Sequence, residues 1–169
     1  MSNLRWILPD ELLTHSVKVM RPHGESQNEG LALWLGRNDN SVVTITHAVE
    51  VFGRGFMTSP LYMRLSMRAM VALTDLADEN NVYLAGQIHS HPGHFLELST
   101  LDKAHGMRTD DYLSVVCPHY AQRDVGGLHE CGVHTFTQNR YRRLSSAEIE
   151  ERIQIRSCQL TKLRLEVSP

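Results

Sequence analysis

The short apolar run at residues 82–88 most constrains the fold, because it is bounded by turn-forming residues and leads directly into His89, His91 and Pro92. Such a run predicts a strand buried within a sheet. Segments of helical and strand periodicity surround it in the order helix, strand, strand, helix, strand, helix, strand, strand, helix. This order lacks the regular alternation of a parallel βαβ fold. The sequence therefore predicts an α/β chain of the mixed α+β class, with a mixed sheet flanked by helices.

Local patterns place the individual elements. The predicted strands cover residues 30–36, 41–52, 82–88, 112–117 and 132–138. The predicted helices run from about residue 9, over 59–80, over 99–108 and over about 145–160, with a turn-like segment at 22–28. Ser59-Pro60 is the expected start of the second helix, and Ser145 with Glu148 forms a capping box for the last. The length of 169 residues predicts one domain over residues 1–169.

His89 and His91 are the most informative pair in the chain. Residues i and i+2 of a strand point to the same face, roughly 6.6 Å apart, so both imidazoles can converge on one zinc ion at about 2.0–2.1 Å each. Asp102 is the candidate third ligand, because it would lie in the first turn of the next helix. This set leaves a fourth tetrahedral position for water, as in catalytic zinc sites. The alternative is two unrelated histidines and a Ser99-x-x-Asp102 helix cap.

The combined pattern resembles the JAMM motif of the MPN family of zinc metallopeptidases. That motif reads His, Ser or Thr, His, seven residues, Ser, two residues, Asp, and every interval is matched from His89 to Asp102. The family also carries an upstream glutamate in a Glu-x-x-Gly-x-x-x-Gly setting on its first core strand. Glu29 stands in that setting here, with Ala32 in place of the first family glycine. The resemblance covers roughly residues 10–145, which would form the core of the domain, and implies an MPN-like sheet.

The resemblance also implies a role for each residue of the motif. His89, His91 and Asp102 would hold Zn²⁺, which polarises the scissile carbonyl. Glu29 would accept a proton from the attacking water and pass it to the leaving amine. Ser99 would donate a hydrogen bond to the oxyanion and could still cap its helix.

Other residues compete with this assignment. Glu50 is a rival for the base, but it follows the second predicted strand and lacks the glycine setting. Residues 129–134 resemble the HExxH zinc motif but are one residue too long, since positions i and i+5 do not share a helical face. A second, structural zinc site is a further alternative, although the spacing fits poorly. Its candidate ligands are His105, His119, His129, Cys131 and His134.

Charge and cysteine content narrow the function classes. Lys and Arg total 17 and Asp and Glu total 19, so a net charge of −2 gives no electrostatic footprint for nucleic acid or an anionic membrane. The three cysteines have no disulfide-framework spacing, and the first residues lack the pattern of a signal peptide. No run approaches the roughly 18 apolar residues of a membrane span. We therefore expect a cytoplasmic protein without nucleic-acid or membrane partners.

JAMM enzymes with this complete residue set mostly cleave after the C-terminal tail of ubiquitin or a ubiquitin-like protein. The chain also resembles stand-alone bacterial JAB-domain peptidases, which accompany E1-like, E2-like and ubiquitin-like proteins in conjugation operons, some of them antiphage. It implies deconjugation or precursor processing, with an extended tail along an exposed strand edge. By the same resemblance, the loops at 53–58 and 118–130 would correspond roughly to the two insertions that flank this groove in the family. The alternatives are a peptidase that trims a sulfur-carrier protein and a non-catalytic MPN scaffold.

Overall fold

One mixed, curled sheet of nine strands dominates the computed structural model, which describes residues 4–169. The strands are β1 (Arg5–Pro9), β2 (Leu31–Asp39), β3 (Val42–Phe52), β4 (Phe56–Thr58), β5 (Met63–Leu65), β6 (Tyr83–Ser90), β7 (Leu113–Cys117), β8 (Gly132–Thr137), β9 (Arg140–Arg143), β10 (Ile153–Arg156) and β11 (Thr161–Glu166). The helices are α1 (Leu12–Glu25), α2 (Met67–Glu79), α3 (Thr100–His105) and α4 (Ser146–Arg152). The predicted α+β class, with a mixed sheet flanked by helices, is confirmed and agrees with an MPN-like fold.

Strand β6 lies in the interior of this sheet. The strand order is β10-β1-β3-β2-β6-β7-β8-β9, β11 pairs with β3, and β4 and β5 form a separate hairpin. Strand β6 runs antiparallel to β2 and parallel to β7, so both of its edges are hydrogen-bonded. The predicted buried strand that leads into the His-x-His sequence is therefore confirmed.

The two faces of the sheet carry separate apolar clusters. Alternation along β2 supplies both, with Trp34 on the side of α1 and Leu33 and Leu35 on the side of α2. Trp34 is fully buried, and its indole N–H donates to the Ser16 hydroxyl of α1 at 3.0 Å. Ile88 of β6 joins the cluster on the α1 side. The neighbouring positions of β6 therefore face the α2 side, where the histidine pair begins.

The prediction of a helix over 59–80 is wrong at its start. Ser59 does not cap a helix, because its hydroxyl accepts the backbone N–H groups of Leu61 and Tyr62 and closes the turn of the β4–β5 hairpin. Helix α2 begins only at Met67, and Ser66 caps it by accepting the N–H of Ala69 at 3.0 Å. In both places a serine hydroxyl accepts backbone N–H groups, so the sequence pattern alone does not distinguish a turn from the start of a helix.

The predicted last helix is correct at its start and too long. The capping box of Ser145 and Glu148 is present, but α4 ends at Arg152 and the chain continues into β10 and β11. Leu163 and Leu165 alternate with polar residues and pack on the α2-side cluster, as a half-buried strand requires. This period-two signal was present in the sequence.

Smaller differences occur at other boundaries. Helix α1 continues to Glu25 through the segment predicted as a turn, and α3 ends at His105 because Gly106 adopts an extended conformation. Strands β1 and β9 were not predicted, although Trp6 and Leu8 of β1 are buried at alternate positions. None of the helices among residues 4–169 combines the length and apolar character needed to cross a bilayer.

Candidate metal centre

His89, His91 and Asp102 bring one ligand atom each to a common point between the end of β6 and the start of α3. All three ligand atoms lie within 4.8 Å of one another. His89 Nε2 and His91 Nε2 are 3.0 Å apart, and Asp102 Oδ2 lies 3.1 Å from His91 Nε2 and 3.4 Å from His89 Nε2. Ligand atoms around a tetrahedral zinc ion at about 2.0–2.1 Å lie roughly 3.3 Å from each other. These separations fit one divalent cation held between the three side chains.

The two histidines are fixed by the sheet and by the loop that follows it. His89 pairs with Leu31 of β2 and with Val116 of β7, and its side chain is fully buried. His91 lies just beyond the strand, where its N–H still donates to the carbonyl of Cys117 at 2.9 Å. Its Nδ1 faces the carbonyl oxygen of Phe95 at 3.1 Å. An N–H donated to that carbonyl leaves Nε2 of His91 free to ligate a metal.

Asp102 reaches the histidines from the first turn of α3 through a capping box. Ser99 N–H donates to Asp102 Oδ2 at 2.7 Å, and Asp102 N–H donates to the Ser99 hydroxyl at 3.1 Å. Burial alone raises the pKa of Asp102, but hydrogen bonds from His89 and His91 outweigh it and hold that pKa far below its usual range. The carboxylate is therefore ionised, as a metal ligand must be.

The Asp102 carboxylate acts in turn on His91. Burial lowers the pKa of His91, but the hydrogen bond and the charge of Asp102, assisted by Glu29, raise it above its usual value. Two imidazole nitrogens and a carboxylate oxygen thus face one another at a site where a single cation would contact all three.

Glu29 lies beside this group, in the segment that joins α1 to β2. Its side chain is 2% exposed, Oε1 is 3.9 Å from His91 Nε2, and Oε2 is buried without a hydrogen-bond partner. Burial raises the pKa of Glu29 to about 7, an effect that His91 opposes and Asp102 reinforces. An unpaired buried carboxylate oxygen is rare and costly. The Glu29 carboxyl is therefore placed to take up a proton next to the candidate metal ligands.

The backbone around Glu29 is held from two sides. Ser90, which separates the two histidines, accepts the N–H of Gly30 on its hydroxyl at 2.8 Å and donates its own N–H to the Gly30 carbonyl at 3.1 Å. On the other side, Glu29 N–H donates to the carbonyl of Ser59 at 2.9 Å, and the Thr58 hydroxyl donates to the Glu29 carbonyl. Glu29 is thereby tied both to the histidine strand and to the β4–β5 hairpin.

Tyr120 is a neighbour of the site that sequence reasoning missed. Its N–H donates to the carbonyl of His91 at 2.8 Å, and its hydroxyl donates to the carbonyl of Pro60 in the hairpin turn, also at 2.8 Å. His119, Tyr120 and Ala121 have φ angles of 55°, 53° and 56°, a left-handed turn that is strained for residues other than glycine. The sequence offers one signal, Gly24, where a Cβ would collide with the Tyr120 carbonyl.

The rival residues lie elsewhere. Glu50 of β3 pairs with Arg164 of β11 at 2.9 Å. His129 and Glu130 lie in a short 3₁₀ turn, whereas His134 lies in β8, so residues 129–134 form no helix. Within residues 4–169, the five residues considered for a second zinc site do not form a metal-binding group of three or more.

A cavity of about 580 Å³ adjoins the candidate metal centre. Asp102 and Gln87 form part of its wall, and the remainder is mostly apolar. Five methionines contribute, from the hairpin, α2 and the segment after α3. They are Met57, Met63, Met67, Met70 and Met107. The cavity offers an apolar binding surface directly beside the candidate ligands.

This chain is similar to known proteins in sequence and in fold. No protein-family model matches it. A curated protein of Sinorhizobium fredii (strain NBRC 101917 / NGR234), named probable metalloprotease y4jG, is 26% identical over 152 residues, which cover 89% of this chain and 93% of that protein. The solution structure of protein DSY2949 from Desulfitobacterium hafniense is similar with a TM-score of 0.61 and 19% identity, covering 91% of this chain and 94% of that one. The second similarity concerns the fold alone.

Proposed function

We propose that this chain is a metal-dependent peptidase of the JAMM type, in which His89, His91 and Asp102 bind zinc. One observation carries the proposal. Two imidazole nitrogens and a carboxylate oxygen converge within 3.4 Å of each other, beside a glutamate oxygen that is buried and unpaired. The similarity to a protein named probable metalloprotease supports it, since that similarity extends over most of both chains.

The donor set suits hydrolysis of an amide bond. When bound, a zinc ion supplies a Lewis acid that polarises a carbonyl and lowers the pKa of water towards about 7. Glu29 then acts as general base and general acid. Its unpaired Oε2 can accept a proton from the attacking water and return it to the nitrogen of the leaving amine. Burial raises the pKa of Glu29 to about 7 in the metal-free chain, and a carboxyl group that holds a proton so readily suits a group that must accept and return one.

Ser99 has a separate task. Its hydroxyl oxygen already accepts the N–H of Asp102, so the hydroxyl proton remains available for donation. We assign that proton to the oxygen of the scissile carbonyl, where negative charge develops during attack.

The surroundings favour an extended peptide segment as substrate. Strand β5 pairs only with β4 among the described strands, so its other edge can accept a further strand. The methionine-lined cavity beside it suits apolar side chains on that strand. We therefore propose the C-terminal tail of a ubiquitin-like protein as the substrate, cleaved from a conjugate or a precursor in the cytoplasm of a bacterium. E1-like and E2-like proteins would be its pathway partners, and an antiphage role belongs to the same hypothesis.

The test is cleavage of a ubiquitin-like protein fused to a short C-terminal peptide, followed by intact mass spectrometry. We expect cleavage after the tail, loss of cleavage with a chelator, and recovery with added zinc. A sulfur-carrier fusion in parallel decides between the two substrate classes. Cleavage that persists in the chelator would reject a metal-dependent mechanism. Absence of cleavage of both fusions by a zinc-loaded protein would favour the non-catalytic scaffold.

A further inference from the structure

Gln87 and Tyr112 form a hydrogen-bonded chain behind His89, on the side away from the candidate metal position. The Tyr112 hydroxyl donates to Gln87 Oε1 at 2.9 Å, and Gln87 Nε2 faces His89 Nδ1 at 3.5 Å. Tyr112 is 2% exposed and lies just before β7. Gln87 precedes His89 by two positions on β6, so both side chains point to the same face of the sheet.

A metal bound at Nε2 demands a particular partner at Nδ1. The metal takes the lone pair of Nε2, so a neutral imidazole must carry its proton on Nδ1 and needs an acceptor there. His91 meets this demand with the carbonyl oxygen of Phe95 at 3.1 Å. For His89, the group placed against Nδ1 is the Gln87 amide, and the end that faces it is the NH₂ group, a donor.

We propose that Gln87 is the positioning residue of His89 and that its amide turns by half a revolution when the metal binds. Oε1 then accepts the Nδ1–H of His89, and the NH₂ group donates to the Tyr112 oxygen. The two ends of an amide are nearly identical in shape, so this exchange reverses the hydrogen bonds without moving other atoms. The inference rests on the metal-binding part of the proposed function and is independent of peptidase activity.

Tyr112 makes the exchange feasible because a phenolic hydroxyl can both donate and accept. In the structure it donates to Gln87, and after the half-turn it accepts from Gln87. Its own proton can then turn towards the adjoining cavity, since Gln87 and Tyr112 both lie in the cavity wall. Loss of the Tyr112 hydroxyl should therefore weaken the metal site less than loss of the Gln87 amide.

The test is zinc affinity, measured by competition with a chromophoric chelator. Partners of metal-bound histidines typically contribute 10–100-fold to affinity. We expect Gln87→Leu to lose that factor, Tyr112→Phe to lose less, and Gln87→Glu to bind zinc at least as well as the wild type, because a carboxylate is always an acceptor. Gln154→Leu, on exposed β10, is the matched control and should bind normally. Chelator-treated variants should unfold at temperatures close to that of the wild type.

A second measurement needs no variant. Nitrogen-15 NMR of the zinc-loaded wild type should find the His89 proton on Nδ1, with a scalar coupling pattern that differs from the metal-free protein. Wild-type affinity in Gln87→Leu, or zinc ligation by Nδ1 of His89, would overturn the inference while leaving the metal site intact. A wild-type protein that binds no zinc would instead reject the proposed function together with it.

Discussion

Glu29 Oε1 lies 3.9 Å from His91 Nε2, although the two residues are 62 positions apart in the sequence. The two side chains meet because β2 pairs with β6 and because Ser90 holds the backbone next to Glu29. A buried carboxylate thus faces a buried imidazole, and Asp102 Oδ2 lies 3.1 Å from the same nitrogen of His91. The protonation states of Glu29, His91 and Asp102 therefore determine how stability and metal binding are expected to depend on pH.

Glu29→Gln tests the general base. We expect the rate of cleavage to fall by about 10²–10⁴-fold, because glutamine cannot take up a proton. Zinc affinity should change little, since Glu29 is outside the candidate ligand set. Kinetics on the fusion substrate and chelator competition measure the two quantities separately. Near-normal cleavage by this variant would show that another group carries the proton.

The pKa of Glu29 predicts how the stability of the metal-free protein depends on pH. Its pKa is about 7 in the folded chain and about 4.5 when exposed, so the folded state binds the proton more tightly. This contribution to stability is complete below about pH 4.5 and is lost as the pH rises through about 7. Between these values, the unfolding free energy of the wild type should fall relative to Glu29→Gln by up to about 1.4 kcal/mol per pH unit. Urea unfolding of both proteins in chelator measures the difference, and parallel pH profiles would contradict it.

Metal binding should release protons. Burial lowers the pKa of His91, but the hydrogen bond and charge of Asp102 raise it overall, so this imidazole retains a proton above its usual range in the metal-free site. A cation must displace that proton, and affinity should rise with pH by at most about tenfold per unit for each proton released. Calorimetry of zinc binding in two buffers with different ionisation enthalpies measures the release. Equal heats in both buffers would argue that neither His91 nor the neighbouring Glu29 gives up a proton on metal binding.

Ser99 and Ser145 form a matched pair of helix caps. Each hydroxyl accepts the N–H of an acidic residue three positions later, Asp102 or Glu148. Replacement of either serine by alanine should cost about 1 kcal/mol of stability. Only Ser99→Ala should also lower kcat, by about 10²–10³-fold, if Ser99 donates to the oxyanion. Equal activity of the two variants would restrict Ser99 to its capping role.

Tyr120→Phe tests the link between the left-handed turn and the hairpin. The variant loses the hydrogen bond to the Pro60 carbonyl, which contributes about 0.5–1.5 kcal/mol. Amide exchange of Tyr62 and Glu29, whose N–H groups bond to Ser59, should accelerate by roughly 2–10-fold. Tyr141→Phe is the control, because its hydroxyl bonds to Met107 outside the hairpin. Unchanged exchange in Tyr120→Phe would mean that the hairpin is held by its other contacts.

The sequence predicted the histidine strand because local information was sufficient there. An apolar run, a proline and period-two spacing fix the direction of His89 and His91 without knowledge of the rest of the chain. Asp102 could be placed for a similar reason, because its capping box with Ser99 is a local pattern. The approach of Glu29 to His91 was expected only from the family resemblance, since the pairing of β2 with β6 is a long-range contact.

Other features depend on partners that local patterns do not reveal. Ser59-Pro60 suits a helix start and a turn equally well, and the bond from Glu29 N–H to the Ser59 carbonyl belongs to the hairpin alone. Strands β10 and β11 form beside β1 and β3, more than a hundred positions away in sequence. The contact between Gln87 and Tyr112 likewise joins neighbouring strands, and neither residue stands in a motif.

The hydrogen bonds from Glu29 to Ser59 and from Thr58 to Glu29 connect the β4–β5 hairpin to the candidate general base. A further strand paired with β5 would extend the hairpin whose Thr58 and Ser59 hold the backbone of Glu29. We therefore expect a peptide bound along β5 to influence the position of the Glu29 carboxylate through these two hydrogen bonds. A ligand that binds at the candidate metal centre without contacting the hairpin should leave the position of Glu29 unchanged.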